Sequence, residues 1–220
     1  MLTTADLFDV QRVPDELRSL LSDELPWLTL ARLDELGRSL VSAEGDVHPT
    51  AVVDGTLYMA AGAKVGPHAY LTGAVYLAEG AEVGHAARVR GPAVLGPGAR
   101  VGHASEVKRS LLLGGAKAPH FNYVGDSVLG HDVNLGAGVK IANFKAFGDE
   151  IVSGDVRTGL RKFGAALGDG VSVGCNAVLA PGTVVGRDAV IYHGATVRGH
   201  VEAGVVVKLR QQQETAERRG

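Results

Sequence analysis

The chain has 220 residues, a formal charge of -2 and a pI near 6.4. That is long enough for one large domain with its own core, and it offers no basic field to recruit nucleic acid or a membrane surface. A single cysteine, Cys175, excludes an internal disulfide framework and any multi-thiolate zinc site. The N-terminus, MLTTADLFDVQRVPDELR, has acids where a signal peptide has a basic start, and no stretch approaches a membrane span, so a cytoplasmic protein is expected. Glycine, at 31 residues, is about twice its ~7% average share while aromatics are only 5%, the balance of a chain that repeats a small-residue turn many times.

Residues 1–45 hold the only Trp and almost no glycine, and they read as a helical cap. Pro14 can open one helix with Leu17, Leu20 and Leu21 on one face; after Pro26, Leu33, Leu36 and Leu40 give a second stripe. A stack of strands leaves an open end, and the cap is expected to cover it.

From Val47 the chain falls into sixes: VHPTAV, VDGTLY, MAAGAK, VGPHAY, LTGAVY, LAEGAE, VGHAAR, VRGPAV, LGPGAR, VGHASE. The pattern resumes at Leu167 with LGDGVS, VGCNAV, LAPGTV, VGRDAV, IYHGAT and VRGHVE. Period six fits neither a helix nor an alternating strand. It is the signature of a parallel β-solenoid over residues 46–208, in which three hexads make a turn and the leading aliphatic points inward beside a small fifth residue. Seven to nine coils are predicted. Between Val107 and Ile141 the register slips by one residue twice, with inward starters at Leu112, Ala118, Val124, Leu129 and Leu135. Residues 142–166 leave the repeat as an excursion loop, in which EIVSGDVRT reads as two short strands around a turn and Phe144, Phe147 and Phe163 pack on a neighbour or a substrate. Residues 209–220 form a polar tail, frayed or briefly helical.

The stretch His103–Phe144, HASEVKRSLLLGGAKAPHFNYVGDSVLGHDVNLGAGVKIANF, concentrates unlike polar groups in an otherwise monotonous scaffold. His120 is its candidate base, with an ordinary pKa of ~6.5. Arg90, Lys108 and Lys162 could neutralise a phosphate, and Tyr123, Asn134 and Asn143 could hydrogen-bond hydroxyls of a small polar substrate. Each of these cations alone would read as a solvated surface charge.

Residues 88–200 resemble the acyltransferase domain of the bacterial N-acetylglucosamine-1-phosphate uridyltransferase/glucosamine-1-phosphate acetyltransferases, and the similar C-terminal domain of archaeal sugar-1-phosphate nucleotidylyltransferases. Arg90 in VRGP stands for the family's basic residue in an RPG turn, and Glu106-Val107-Lys108 for its Glu-aliphatic-Lys triplet. His120 falls twelve residues past that lysine, where the family has its catalytic histidine, and Tyr123 follows it. Asn134 in VNLGAG precedes Ala137, whose N–H stands where the family holds the acetyl carbonyl; Asn143-Phe144 replaces its Asn-Tyr; Lys162 matches its lysine across the loop.

The resemblance implies a left-handed coil, a homotrimer with sites between subunits, and acetyl transfer from acetyl-CoA to an amino-sugar 1-phosphate, glucosamine- or galactosamine-1-phosphate. His120 would be the general base, Glu106 its orienting partner, and the 136–138 backbone an oxyanion donor. Ala137, Cys175 and His193 would flank CoA, with Arg187, Arg198 or Lys208 near its phosphates; His193 replaces a small residue of the family. No metal is expected. Residues 1–45 cannot supply the relatives' nucleotidyltransferase domain, so no uridylyl transfer is expected.

Other readings remain open: an O- or N-acyltransferase for another activated sugar, a catalytically silent scaffold, or a zinc hydratase of the γ-carbonic-anhydrase kind, whose metal would need converging histidines. His85 and His103 are eighteen apart and would stack on adjacent coils at a corner.

Overall fold

The computed structural model describes residues 2–22, 24–43, 45–210 and 212–218. Its body is the parallel β-helix of the hexads. Nine strands stack in one sheet, the first face, from Asp46–Val47 through Arg100–His103, Lys117–His120 and Asn134–Leu135 to Val206–Val207. A second sheet of fourteen strands supplies the other two faces, because its two longest strands, Val52–Met59 and Tyr70–Leu77, run across both. Leading aliphatics such as Leu71, Val89, Val107, Val124 and Leu167 fill the interior with the small fifth residues Ala69, Ala87 and Ala99.

The register slip is visible in the ladder. Lys64 pairs with Glu82 at eighteen residues, whereas Arg100 pairs with Lys117 and Lys117 with Asn134 at seventeen. The missing residue is lost at the corner between second and third faces. There Arg109 and Asp126 take left-handed backbone angles (φ 44° and 46°), and buried serine hydroxyls replace part of the ladder. Ser110 Oγ donates to the Lys108 carbonyl and accepts from Ser127 N–H, while Ser127 Oγ donates to the Gly125 carbonyl. Leu112, Ala118, Val124, Leu129 and Leu135 all point inward, fully buried.

The N-terminal segment is helical: α1 (Thr4–Leu7), α2 (Asp15–Arg18) continued by a 3-10 turn at Ser19–Leu21, and α3 (Thr29–Ser39). It lies along the third face instead of across the open end. Leu17, Leu20, Trp27, Leu30 and Leu33 share one buried cluster with Tyr76, Val94, Leu111, Val128, Ala166 and Val184, the outward residues of that face. Those residues explain the placement, since a face apolar on its outer side also must be covered. Polar ties run the same length: Asp9 N–H donates to Asp169 Oδ2 (2.7 Å), Arg187 Nη2 to the Ala5 carbonyl (3.0 Å), and Arg12 pairs with Asp132 (2.6 Å).

The chain leaves the coil after Lys140–Ile141 and rejoins it at Ala165–Leu167. In between, Val152–Ser153 and Val156–Arg157 form an antiparallel hairpin. Of the loop's aromatics, Phe163 is buried against Trp27 (ring centroids 5.8 Å) and Phe144 lies under Lys162 (5.9 Å), but Phe147 is 92% exposed and packs on nothing within the chain. Residues 212–218 hold neither helix nor strand. No helix among the described residues is long and apolar enough to cross a membrane.

Ser153 latches the loop to the coil, donating to the Gly182 carbonyl (2.9 Å) with His200 Nε2 at 3.2 Å. Ser153→Ala leaves that buried carbonyl short of a donor and is expected to cost about 1–3 kcal/mol in urea unfolding. An unchanged midpoint would refute the latch.

Burial pushes the imidazoles of His131 and His200 below their ordinary value; the carboxylates near His131, Asp169 and Asp132, oppose the shift and Arg12 reinforces it. Both rings are thus favoured neutral in the fold. The unfolded chain takes up these protons first as pH falls, so the stability they contribute is complete above the ordinary imidazole value of about 6.5. It is lost as pH falls through the folded values. The melting temperature is expected to decline with acidification below about pH 7, and less steeply in His131→Gln.

Candidate active site

Five of the sequence-predicted residues, Arg90, Glu106, Lys108, Tyr123 and Asn143, meet on the second face near its far corner. Arg90, Lys108 and Gly125 occupy equivalent rungs of three successive coils, and Arg88, Glu106, Tyr123 and Lys140 the adjoining ladder. Arg90 Nη1 pairs with Glu106 Oε1 at 3.0 Å. Tyr123 stands one rung above Glu106, and its hydroxyl donates to Asn143 Oδ1 at 3.5 Å. Asn143 Nδ2 donates to Asp126 Oδ2, which also holds Lys108 Nζ at 2.7 Å. A Cβ at 125 would meet Asn143 Nδ2 at 2.7 Å and the Tyr123 hydroxyl at 2.9 Å, so a larger residue there must displace these two side-chain ends.

Lys108 and Asp126 of this cluster open onto a cavity of about 570 Å³ at the root of the excursion loop. Lys108, Phe144 and Lys162 line it, together with Arg109, Asp126 and Arg161. Four cations against two carboxylates, Asp126 in the cavity and Asp34 behind Arg109, leave it net positive and suited to an anion. Burial, reinforced by the Glu106 and Asp126 carboxylates, pushes the Tyr123 phenol up, so it stands as a neutral donor at neutral pH.

His120 sits at the other end of the second face, on the corner that follows the first face. Its side chain is exposed and has no hydrogen-bond partner among the described residues. Asn122 fixes the turn beneath it: 3% exposed, it accepts from His120 N–H at 3.0 Å and donates to the Gly136 carbonyl at 2.7 Å. Asn122 was missed as a site residue, although a polar group in the small fifth position of a hexad was its signal. Arg109 and Asp126, likewise absent from the predicted set, are central to the cavity.

The proposed CoA residues divide. Backbone rungs join His120 to Gly138, Ala137 to Asn176 and Cys175 to Gly194, which stacks His120, Ala137, Cys175 and His193 in one column of the first corner. Arg198 lies on the second corner beside Lys145 in a separate cavity of about 350 Å³. Arg187 lies on the third, where Ala5 engages it. The structure thus does not bring Arg187 or Arg198 to that column. Asn134 is also apart, exposed on the first face between Lys117 and Ser172. Glu106 contacts Arg90 and not His120.

His85 and His103 stack as expected for a corner ladder, with ring centroids 4.9 Å apart and Nδ1 atoms 2.9 Å apart. Among the described residues no three His, Cys, Asp or Glu side chains converge as a metal site would require.

Residues 71–158 match the GMPPB C-terminal domain family, and residues 164–199 match the bacterial transferase hexapeptide family of six repeats. A bifunctional sugar-1-phosphate nucleotidylyltransferase/acetyltransferase of Sulfurisphaera tokodaii is 41% identical over 104 residues, 46% of this chain and 26% of that protein. The bifunctional protein GlmU of Methanococcus vannielii is 34% identical over 96 residues, 42% and 23% of the two chains. The chain spans about a quarter of the length of these curated relatives. Among solved structures, the UDP-N-acetylglucosamine acyltransferase of Francisella novicida shares the fold, with a TM-score of 0.52 at 17% identity over 72% of this chain and 60% of that one. The chain is thus built of hexapeptide repeats, is similar over about a hundred residues to bifunctional nucleotidylyltransferase/acetyltransferases, and shares its fold with a UDP-N-acetylglucosamine acyltransferase.

Proposed function

We propose that this chain transfers the acetyl group of acetyl-CoA to the amine of an amino-sugar 1-phosphate, glucosamine- or galactosamine-1-phosphate, in the cytoplasm. The observation that carries the reading is the convergence of Lys108, Lys162 and Phe144 on one anion-receptive cavity, with Asn143 and Tyr123 hydrogen-bonded in series behind its carboxylate Asp126. The phosphate would lie among Lys108, Lys162 and Arg161, and sugar hydroxyls would face Asn143 and Tyr123.

His120, free of protein partners, would take the amine proton as its nitrogen attacks the thioester carbon. The C–N bond forms, the C–S bond breaks, and the departing thiolate recovers that proton from the imidazolium. No covalent enzyme intermediate is needed, and Cys175 has no nucleophilic task. The small side chains of Ala137 and Cys175 leave the column beyond His120 open to the thioester arm of CoA, which His193 would border.

Within one chain His120 and Asn134 stand apart from the cavity, the arrangement of a site shared between copies. The third face is already covered by the helices, whereas the first corner presents Phe121 at 58% exposure beside His120. These observations favour a homotrimer with its copies meeting along the two bare faces.

The test is thiol release from acetyl-CoA against a panel of amino sugars, amino-sugar 1-phosphates and nucleotide-linked amino sugars. Release with glucosamine- or galactosamine-1-phosphate is expected. No release with any acceptor would overturn the reading.

A further inference from the structure

The cavity depends on a carboxylate that is almost sealed from water. The Asp126 side chain is 1% exposed; its Oδ2 holds Lys108 and Asn143, and its Oδ1 faces Arg109 Nη1 at 3.5 Å. Arg109 is gripped far more closely from the other side, by Asp34 of α3. Its Nε donates to Asp34 Oδ1 at 3.1 Å and its Nη2 to Oδ2 at 2.5 Å, with Nη2 also 3.4 Å from the Leu30 carbonyl. The fork is the two-pronged arginine–carboxylate geometry, which fixes direction as well as charge.

We propose that Asp34, on a helix outside the solenoid and seventy-five positions from Arg109, is a positioning residue for the acceptor cavity. The inference rests on the proposed function for its substrate. Arg109 lies between two carboxylates and is committed to one. That leaves Asp126 free to hold Lys108 and Asn143 where they face the cavity. Without the Asp34 charge, Arg109 has a single carboxylate within reach. It closes on Asp126, competes with Lys108 Nζ and Asn143 Nδ2, and turns both away from the bound anion. The helical segment therefore does more than cover an apolar face; one of its side chains sets the aim of the phosphate-binding lysine.

Asp34→Asn keeps the shape of the side chain and removes its charge. In the thiol-release assay the KM for glucosamine-1-phosphate is expected to rise about 5- to 20-fold, the usual coupling range of a shared charge network. The KM for acetyl-CoA should stay within about twofold, and Asp34→Glu should recover most of the loss. Leu36→Ala, on the same helix but outside the network, should lower the melting temperature without moving either KM. Equal rises in both KM values, or an Asp34→Asn effect confined to melting, would overturn the proposal.

If the wild type acetylates no amino sugar, the proposed function fails by itself, and calorimetry with inorganic phosphate reads the positioning directly. Weaker phosphate binding by Asp34→Asn than by wild type supports it. Equal binding, or none to the wild type, overturns it.

Discussion

His120→Ala should cut acetyl transfer by about 10²–10⁴-fold, the usual worth of a general base, while thermal stability stays within about 0.5 kcal/mol of wild type. Rate and fold separate here for a structural reason. The imidazole is exposed and has no hydrogen-bond or ion-pair partner among the described residues, so its loss removes no polar tie. What holds the turn is the backbone N–H of residue 120 on the buried Asn122 amide, and alanine keeps that bond. Single-turnover thiol release at saturating acetyl-CoA measures the chemical step. A variant with undiminished turnover would remove His120 from the mechanism and leave the cavity without a base.

Asp126→Ala is expected to act on stability as strongly as His120→Ala acts on rate. Removing one member of a buried ion pair strands its partners, at a cost of about 3–5 kcal/mol. Here the stranded groups are Lys108, whose side chain is only 18% exposed, and the Asn143 amide, while Arg109 keeps its closer partner Asp34. Alanine at 126 must also hold a left-handed backbone (φ 46°) that aspartate tolerates better. Asp126→Asn keeps the backbone preference and isolates the charge, so it should fall between the two. Urea unfolding followed through Trp27, buried against Phe163, gives the free energies. A loss below about 1 kcal/mol for alanine would mean that water or a rearranged Asp34 substitutes for the missing carboxylate.

The hexads stated which side chains face inward and where a coil shortens, because a solenoid turns sequence period directly into direction. Lys108, Tyr123 and Asn143 came instead from the polar break in the repeat and from the resemblance, and their equivalents one coil away are found by subtracting seventeen or eighteen. Asp126 was within reach of the same arithmetic, being the neighbour of Gly125, the rung directly beyond Lys108. Asp34 was not. A helix outside the repeat has no fixed offset from any coil, so its partner Arg109 follows from docking alone. The helical stripes of Leu17, Leu20 and Leu33 likewise declared an apolar side, but the open end expected to receive it was the wrong partner. The outward Val94, Leu111 and Val128 held that answer, since a face meant for solvent has no use for them.

Solenoids ordinarily hold together as linear arrays, each unit touching only the next, and such arrays can melt progressively from their ends. The N-terminal segment changes that. Its first residues bond to Asp169 and Arg187 in late coils, while α3 reaches back to strands of the second, third and fourth coils. The chain is thereby closed on itself, with its earliest residues unable to reach their partners until nearly the last coil has formed. Late coils cannot fray without releasing the strap, and the strap cannot lift without baring the third face. The expected result is a slow-forming fold of high contact order, whose unfolding is far more cooperative than its repetitive sequence suggests.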